Sequence, residues 1–220
     1  MLIPTRCPVC NALGPAPCAR CAAELRHAPA LPPPAGLVSF RALLRYEDAG
    51  RELVARLKYR NARATIVWLA MHLAGLVPAS LLLLDPAAVT IAVTWAPTSP
   101  LRRRERGFDQ AELLARAVAG RLGVPAVRLL ERGPGPPQTG QSGEARRRGP
   151  PFQPRLPRRS PVPARVLLVD DVVTTGATME SAARALLAAG VGEVHGLAAA
   201  RTPRRAARPG ALLRPAEAEV

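Results

Sequence analysis

The segment Val166–Thr178 constrains the fold more strongly than any other part of the chain. It reads Val-Leu-Leu-Val-Asp-Asp-Val-Val-Thr-Thr-Gly-Ala-Thr. Four consecutive apolar residues predict a strand buried on both faces, and the two aspartates stand at its carboxyl end, where open α/β sheets place their ligands. A turn rich in threonine and glycine then opens a helix, and the N–H groups of such a turn suit a phosphate. Because neighbouring carboxylates can accept hydrogen bonds from vicinal hydroxyls, the segment predicts a site for a ribose 5-phosphate group.

Two other interpretations of this segment stay open. An apolar strand that ends in Asp170-Asp171 is also similar to a Walker B strand, but an NTPase needs a lysine after a glycine-rich loop. The single lysine of the chain, Lys58, follows Ala-Arg-Leu and has no such loop before it. A purely structural interpretation has Asp170 or Asp171 capping a helix while the threonines fill a turn.

The rest of the chain alternates between strand-like and helix-like patterns. Aliphatic or β-branched runs predict strands at Leu37–Tyr46, Val89–Thr94, Ala126–Leu130, Arg165–Asp170 and Val194–Ala200. Apolar residues at helical spacing predict helices at Glu47–Lys58, Ala62–Leu76, Asp109–Leu122 and Gly176–Ala189. Asp109 and Glu112 are expected to cap the third helix, and Gly190 is expected to end the fourth. This alternation predicts an α/β fold with a parallel, doubly wound sheet.

All four cysteines lie near the N-terminus, in the pairs Cys7-Pro8-Val9-Cys10 and Cys18-Ala19-Arg20-Cys21. Each pair has the spacing of a zinc knuckle, and two knuckles complete a tetrahedral Zn²⁺ site without an open ligand position. The spacing therefore predicts a structural zinc site made by Cys7, Cys10, Cys18 and Cys21, which would stabilise a segment too short to form its own core. Disulfide bonds and an iron–sulfur centre are the alternatives that stay open.

Composition divides the chain into four parts. Residues 1–27 contain the cysteines and are expected to form a small module similar to a zinc ribbon, and the proline-rich residues 28–36 are expected to be a stiff linker. Residues 37–201 hold the alternating elements of the predicted α/β domain. Residues 202–220 contain arginine, proline and alanine without a period, which predicts a loosely ordered tail. Within the domain, Glu131–Pro163 is dense in proline, glycine and arginine and is expected to be a long loop.

Charge and hydropathy narrow the class of partner. The formal net charge is +15, with 31 basic residues, all arginine except Lys58, against 16 acidic ones. Such a surface attracts phosphorylated molecules or nucleic acid, whereas an aromatic content of 3% argues against binding of single strands by base stacking. The N-terminus is unlike an export signal, so a cytoplasmic location is expected. Ala64–Leu84 has no charge over 21 residues, and we expect a buried helix that breaks at Val77–Ser80, with no membrane span.

Several motifs together resemble one family. Val166–Thr178 resembles the signature with which type I phosphoribosyltransferases bind phosphoribosyl diphosphate (PRPP). The cysteine pairs and Leu57-Lys58-Tyr59 are similar to the pattern of the ComF family, the competence-associated phosphoribosyltransferase-like proteins. So is the stretch Ala96–Ala111, which includes Arg-Glu-Arg-Gly-Phe-Asp-Gln-Ala and has Asp109 where that pattern has asparagine. A loop with Arg132, Gln138, Gln141 and Arg146–Arg148 completes the pattern, and the resemblance extends to about residue 201.

The resemblance implies a role for each matching residue but assigns no catalytic one. Asp170 and Asp171 would bind the ribose hydroxyls of PRPP. The turn residues Thr174, Thr175, Gly176, Ala177 and Thr178 would bind its 5′-phosphate. Its diphosphate would be bound by Ala96, Pro97, Thr98 and Ser99 with help from Arg103 and Arg106. Mg²⁺ would bridge the diphosphate and the ribose, and Glu131–Pro151 would form a flap over the site.

Two functions follow from this resemblance. The first is an enzyme that transfers the phosphoribosyl group of PRPP to an unidentified acceptor. Purine salvage is not expected, because Thr174 stands where the purine-salvage relatives carry an acid. A linked glutaminase is not expected either, because neither residue 1 nor residue 2 is a cysteine. The second function is a non-catalytic module of the same fold that acts with single-stranded DNA or helicase-type proteins in DNA uptake, and the fold alone does not separate the two.

Overall fold

The computed structural model describes residues 6–58, 63–82, 90–133, 150–156 and 161–203. Its helices are α1 (Ala19–Ala23), α2 (Asp48–Ala55), α3 (Arg63–Ala74), α4 (Ala79–Leu82), α5 (Pro100–Arg106), α6 (Gln110–Leu122) and α7 (Ala177–Ala188). A 3₁₀ turn, Arg56–Lys58, extends α2. The strands are β1 (Ser39–Arg45), β2 (Ile91–Trp95), β3 (Leu130–Arg132), β4 (Phe152–Pro154), β5 (Arg165–Val173) and β6 (Glu193–Arg201).

Four parallel strands form the central sheet in the order β1-β6-β5-β2. The strand part of Val166–Thr178 lies inside this sheet, since Val169 of β5 pairs with Trp95 on one side and with Leu197 on the other. All four strands end at the same edge of the sheet because they are parallel. The predicted α/β fold with a parallel sheet is confirmed.

Helices cover both faces of the sheet, as a doubly wound fold requires. On one face, α2, α3 and α6 pack against β2, β5 and β6 through Leu53, Leu69, Leu73, Leu114, Val118, Trp95, Leu167, Val169 and Leu197. On the other face, α7 packs through Met179, Ala182, Ala183, Leu186, Val166, Leu168, Val194 and Ala198. The core is mostly aliphatic, and Trp95 and Phe40 are the buried aromatic side chains of the described residues, in keeping with the low aromatic content of the chain.

Local signals fix the ends of the two helices nearest the strand tips. Asp109 caps α6, because its carboxylate accepts the N–H groups of Ala111 at 3.1 Å and Glu112 at 3.4 Å. The Glu112 carboxylate pairs with Arg103 and Arg116. Of the two residues predicted to cap α6, Asp109 therefore does so and Glu112 makes ion pairs. After α7, Gly190 has a φ of +95°, and the N–H of Val191 bonds to the carbonyl of Leu186, which ends the helix as predicted.

Two predicted strand boundaries differ clearly from the structure. The strand expected at Ala126–Leu130 was placed too early, because Ala126 forms a single parallel bridge with Val93 and the strand β3 begins at Leu130. β3 pairs with β4 in an antiparallel hairpin that packs on α7. β5 continues past Asp170 to Val173, because β6 runs beside it as far as Arg201. These differences arise from pairing with distant segments, which local patterns do not contain.

The cysteine-containing segment packs against the domain. Val9 and Leu25 contact the face that carries α2, α3 and α6, and Arg56 donates its Nε–H to the carbonyl of Pro8 at 3.1 Å. Residues 26–28 pair antiparallel with β1 through an isolated bridge between His27 and Leu44. The division into a zinc module, linker, domain and tail stays a prediction.

In the described ranges, no helix is long and apolar enough to cross a membrane. The helix predicted at Ala62–Leu76 is α3, which spans Arg63–Ala74. Some predictions concern residues outside the described ranges. They are Tyr59, residues 134–149 of the flap predicted at Glu131–Pro151, with Gln138, Gln141 and Arg146–Arg148, and residues 204–220 of the tail predicted at 202–220.

Candidate functional site

The tips of β2 and β5 bring two predicted ligand-binding segments side by side. Trp95 and Val169 pair in register, and the next residue, Ala96, donates its N–H to the carbonyl of Val169 at 3.1 Å. The loop 96–99 therefore leaves the sheet beside Asp170 and Asp171. Such an edge, at the carboxyl ends of parallel strands, is where α/β folds bind ligands.

The turn Thr174–Thr178 forms an open concave site between β5 and α7. It is lined by Asp170, Val172, Val173, Thr174, Thr175, Gly176, Ala177, Thr178 and Met179. The threonines and backbone N–H groups of this lining suit a small anion such as a sugar phosphate. The hydroxyl of Thr175 accepts the N–H of Ala177 at 3.3 Å. The N-terminus of a helix of 12 residues opens onto this concavity, and its N–H groups favour an anion.

Gly176 gives the turn its shape. Its φ of +94° lies in the left-handed region that favours glycine. A Cβ at this position would lie 3.1 Å from Cγ of Pro34, a buried residue of the predicted linker. The turn therefore needs a glycine both for its backbone conformation and for its contact with the proline-rich segment.

Asp170 and Asp171 both lie at the strand tip, but their surroundings differ. Asp170 is only 8% exposed, while Asp171 is partly exposed. Asp170 accepts the N–H of Asp171 at 2.9 Å, and Asp171 accepts the N–H of Val172 at 2.7 Å. Burial raises the pKa of Asp170 well above its usual range, and the negative charge of Asp171 raises it further. The pair thus combines one buried carboxyl group with one that solvent reaches.

The predicted diphosphate-binding residues lie in one continuous loop and helix. Ala96 and Pro97 are buried, whereas Thr98 and Ser99 are partly exposed. Ser99 caps α5 by accepting the N–H of Arg102 at 3.4 Å. Every residue of α5 is at least partly exposed, so its arginines face solvent next to the strand tips.

The first turn of α6 holds this loop and helix. Thr98 donates its N–H to Oδ2 of Asp109 at 2.8 Å. Arg106 donates to Oε1 of Gln110 at 3.0 Å, and Arg103 lies 3.7 Å from a carboxylate oxygen of Glu112. Burial raises the pKa of Asp109, although its three N–H donors act in the opposite direction.

Arg132 joins the site, although the sequence analysis gave it no role of its own. Burial lowers the pKa of Arg132, the positive charge of Arg102 lowers it further, and the carboxylates of Asp170 and Asp109 oppose both effects. Its guanidinium is therefore within electrostatic reach of both buried acids. The sequence signals were its place two residues after the apolar pair Leu129-Leu130, in a stretch otherwise rich in proline and glycine, and its match to the loop of the ComF pattern.

The four cysteines form a compact cluster. Their Sγ atoms all lie within 4.8 Å of one another, and the distance between Cys10 Sγ and Cys18 Sγ is 3.7 Å. Four thiolates around Zn²⁺ at about 2.3 Å stand about 3.8 Å apart, so the cluster could hold zinc. The thiols are free in the structure, and their spacing is well above the roughly 2.05 Å of a disulfide bond.

The thiols experience opposite effects inside this cluster. Burial acts to raise the pKa of Cys7, but N–H donors from Cys10, Cys18 and Val9 outweigh it and lower the pKa to about 6. Burial and the neighbouring thiols raise the pKa of Cys21 to about 12. Crowded thiols resist losing all their protons unless a cation balances the charge, which fits a metal site.

Comparison with known families supports the class indicated by this geometry. Residues 109–212 match the family model described as the phosphoribosyl transferase domain. The match begins at Asp109 and includes Asp170, Asp171 and the turn Thr174–Thr178. The chain therefore contains a phosphoribosyltransferase domain. A search among curated proteins found no matching relative.

Proposed function

We propose that this protein is a PRPP-binding phosphoribosyltransferase-like protein of the ComF type. The observation that carries the proposal is that three segments lie together at one edge of the sheet. They are the acids of β5, the concave turn Thr174–Thr178 before α7, and the loop after β2. The cysteine cluster and the arginine-rich α5 add the features that resemble the ComF family.

Each segment would bind one part of PRPP. Asp170 and Asp171 would accept hydrogen bonds from the ribose hydroxyls, and the N–H groups and hydroxyls of Thr174–Thr178 would bind the 5′-phosphate. Ala96–Ser99 would contact the diphosphate, with Arg103 and Arg106 lowering the energy of its negative charge. The adjacency of β2 and β5 supports this arrangement, since the two ends of the ligand need neighbouring sites.

Magnesium fits the donors available at this edge. Carboxylates and phosphate oxygens are the ligands that Mg²⁺ prefers, and the partly exposed Asp171 offers a carboxylate beside the proposed diphosphate loop. When bound, the ion would neutralise charge on the departing diphosphate. Asp170 and Asp171 would hold the ribose, and the arginines of α5 would hold the diphosphate end in place.

The proposed reaction transfers the phosphoribosyl group to an acceptor. The bond between C1 of the ribose and the diphosphate oxygen breaks, pyrophosphate leaves with the electron pair, and the acceptor forms the new bond to C1 and loses its proton. Preorganised positive groups stabilise the departing charge more than the ground state, and we assign this role to Arg103, Arg106 and Arg132. Thr174 offers no acid to an acceptor, so purine salvage is not proposed.

The test is the double variant Asp170→Asn, Asp171→Asn. Replacing both carboxylates removes the proposed ribose acceptors, so PRPP affinity measured by calorimetry with Mg²⁺ should fall at least a hundredfold. Glu193→Gln, an acid-to-amide change at the opposite end of the sheet, is the matched control and should bind as wild type does. Unchanged affinity in the double variant would remove the proposal.

A second function has one observation in its favour. The exposed arginines of α5 would also suit a polyanion, so the same fold could act as a non-catalytic module with single-stranded DNA or helicase-type partners in DNA uptake. Pyrophosphate release from PRPP, measured with candidate acceptors added, separates the two. Release favours the enzyme, and PRPP binding without release favours the module.

We also propose that the cluster holds one structural Zn²⁺ and that the protein is cytoplasmic. The donor spacing supports the first. Four unlinked thiols support the second, because reducing compartments keep thiols free.

A further inference from the structure

The loop 96–99 is fixed at two points. At its start, Ala96 bonds to the carbonyl of Val169 at 3.1 Å. Two residues later, Thr98 bonds to Oδ2 of Asp109 at 2.8 Å. Asp109 is only 3% exposed, so this second bond is shielded from water. The loop is thereby held against β5 on one side and α6 on the other.

We infer that Asp109 is a positioning residue for the diphosphate half of the ligand. This inference rests on the proposed function. Asp109 would not touch the ligand; it would fix the Thr98 amide and the backbone around it. A loop already held in its bound shape loses less conformational freedom when a ligand binds, so affinity rises without a new contact.

The chemistry of the side chain explains why an aspartate fits here. Its Oδ2 serves the loop through Thr98, while its Oδ1 serves α6 through Ala111 and Glu112. Both oxygens must accept, and a carboxylate supplies two acceptors where an amide or a hydroxyl supplies one. Asp109 thus couples the shape of the loop to the start of a helix.

The neighbouring residues of α6 act on the same unit. Gln110 accepts from Arg106 at 3.0 Å, and Glu112 lies 3.7 Å from Arg103. The first turn of α6 therefore contacts Thr98 and both arginines proposed to face the diphosphate. A defect at Asp109 should weaken binding of the diphosphate much more than binding of the ribose phosphate. The proposed ribose phosphate site lies on β5 and α7, and Asp109 acts on it only through its charge near Asp170.

The test uses Asp109→Ser in the full chain. Serine is a good helix cap, so α6 should persist, but its single short hydroxyl cannot also hold Thr98. Affinities for PRPP, pyrophosphate and ribose 5-phosphate would be measured by calorimetry. We expect about tenfold weaker binding of PRPP and pyrophosphate, with ribose 5-phosphate changed less than twofold. The Thr98 amide should exchange its hydrogen at least tenfold faster than in wild type, with or without ligand.

The outcomes separate the two levels of the proposal. Wild-type protein that binds none of the three probes would overturn the proposed function and this inference with it. Wild-type binding of PRPP together with unchanged PRPP affinity and Thr98 exchange in Asp109→Ser would overturn this inference alone, as would an equal loss for all three probes. Asp109→Asn keeps the shape with one acceptor oxygen, so it carries the same test if the serine variant does not fold. The PRPP affinity of Asp109→Asn should lie between those of wild type and Asp109→Ser.

Discussion

At the scale of single residues, Asp170 shows how a proposed ligand-binding group can oppose stability. The carboxyl group is buried beside Asp171 and within electrostatic reach of Asp109, so its charged form is unfavourable in the free protein. The folded chain therefore holds the proton of Asp170 more tightly than the unfolded chain does. Proton binding at this residue favours the fold, so stability is lost as pH rises above the ordinary pKa of an aspartate.

This gives a prediction for Asp170→Asn. Asparagine keeps an oxygen for the N–H of Asp171 and removes the buried charge, so the variant should unfold at higher denaturant concentration than wild type at neutral pH. This difference in stability should narrow as pH falls from the raised pKa of Asp170 towards the ordinary pKa of an aspartate, because Asp170 of the wild type then becomes neutral too. Urea unfolding at several pH values measures it. A difference in stability between the variant and wild type that stays constant with pH would contradict a raised pKa at Asp170.

Single residues were predictable where the signal was local. The proposed ligand-binding residues Asp170, Asp171 and Thr174–Thr178 could be suggested from sequence because strand, acids and turn are adjacent in it, and their roles stay predictions. Arg132 and the bond from Thr98 to Asp109 could not be suggested in this way, because each joins segments whose proximity depends on how β2, β5 and the hairpin pack. Long-range packing of this kind leaves no periodicity to detect.

At the scale of elements, the turn before α7 depends on a contact from outside the sheet. The predicted linker packs Pro34 against Gly176, and a side chain at Gly36 would lie 3.3 Å from Ala183 of α7. The proline-rich segment therefore supports the turn and the helix together. Its composition indicated stiffness but not the surface on which it lies.

Two glycines that flank α7 allow a matched experiment. Gly176 and Gly190 have nearly the same φ, +94° and +95°, but an added Cβ meets Pro34 only at Gly176 and finds open space at Gly190. Gly190→Ala should lower the free energy of unfolding by about 1 kcal/mol, the usual cost of a left-handed alanine. Gly176→Ala should lose about 2 kcal/mol and also weaken PRPP binding, since Pro34 or the turn must shift.

Chemical denaturation and calorimetry would measure both variants. Equal destabilisation of the two, with PRPP affinity preserved in both, would show that the contact with Pro34 does not shape the turn.

At the scale of the whole molecule, the cysteine cluster contacts the domain through side chains and hydrogen bonds as well as through the covalent chain. Val9 and Leu25 pack on the core, and Arg56 bonds to Pro8 inside the first cysteine pair. Ala28 and Arg45 exchange backbone bonds with Leu43 and Arg26, so the segment after the second pair continues onto β1. The stability of the cluster and that of the domain should therefore be linked.

Metal removal tests this link. If one Zn²⁺ organises the cluster, chelation or Cys18→Ser should lower the melting temperature by roughly 5–15 °C, because packing against the core is lost with it. The amides of Ala28 and Arg45 should lose protection in hydrogen exchange, and added Zn²⁺ should restore wild-type protein. Metal-free protein that melts at the same temperature and keeps those amides protected would rule out a structural ion.

The overall architecture was more predictable than its connections. Alternating strands and helices gave the parallel sheet, since each element has its own period. The packing of the cysteine cluster and of the proline-rich segment against the domain was not apparent from sequence. It depends on contacts between residues 8 and 56 and between residues 34 and 176, which are far apart in the chain.

The pairing of residues 26–28 with β1 has a consequence for association between molecules. β1 and β2 are the outer strands of the sheet, and an uncovered outer strand can recruit strands from other chains. Residues 26–28 occupy part of the free side of β1, and Pro125 and Val127 bond to Val93 on the free side of β2. Two short, irregular stretches thus cover part of both outer strands and oppose edge-to-edge aggregation. One of them directly follows the cysteines, so if the cluster holds the proposed zinc, its loss should expose β1 and make molecules associate more readily.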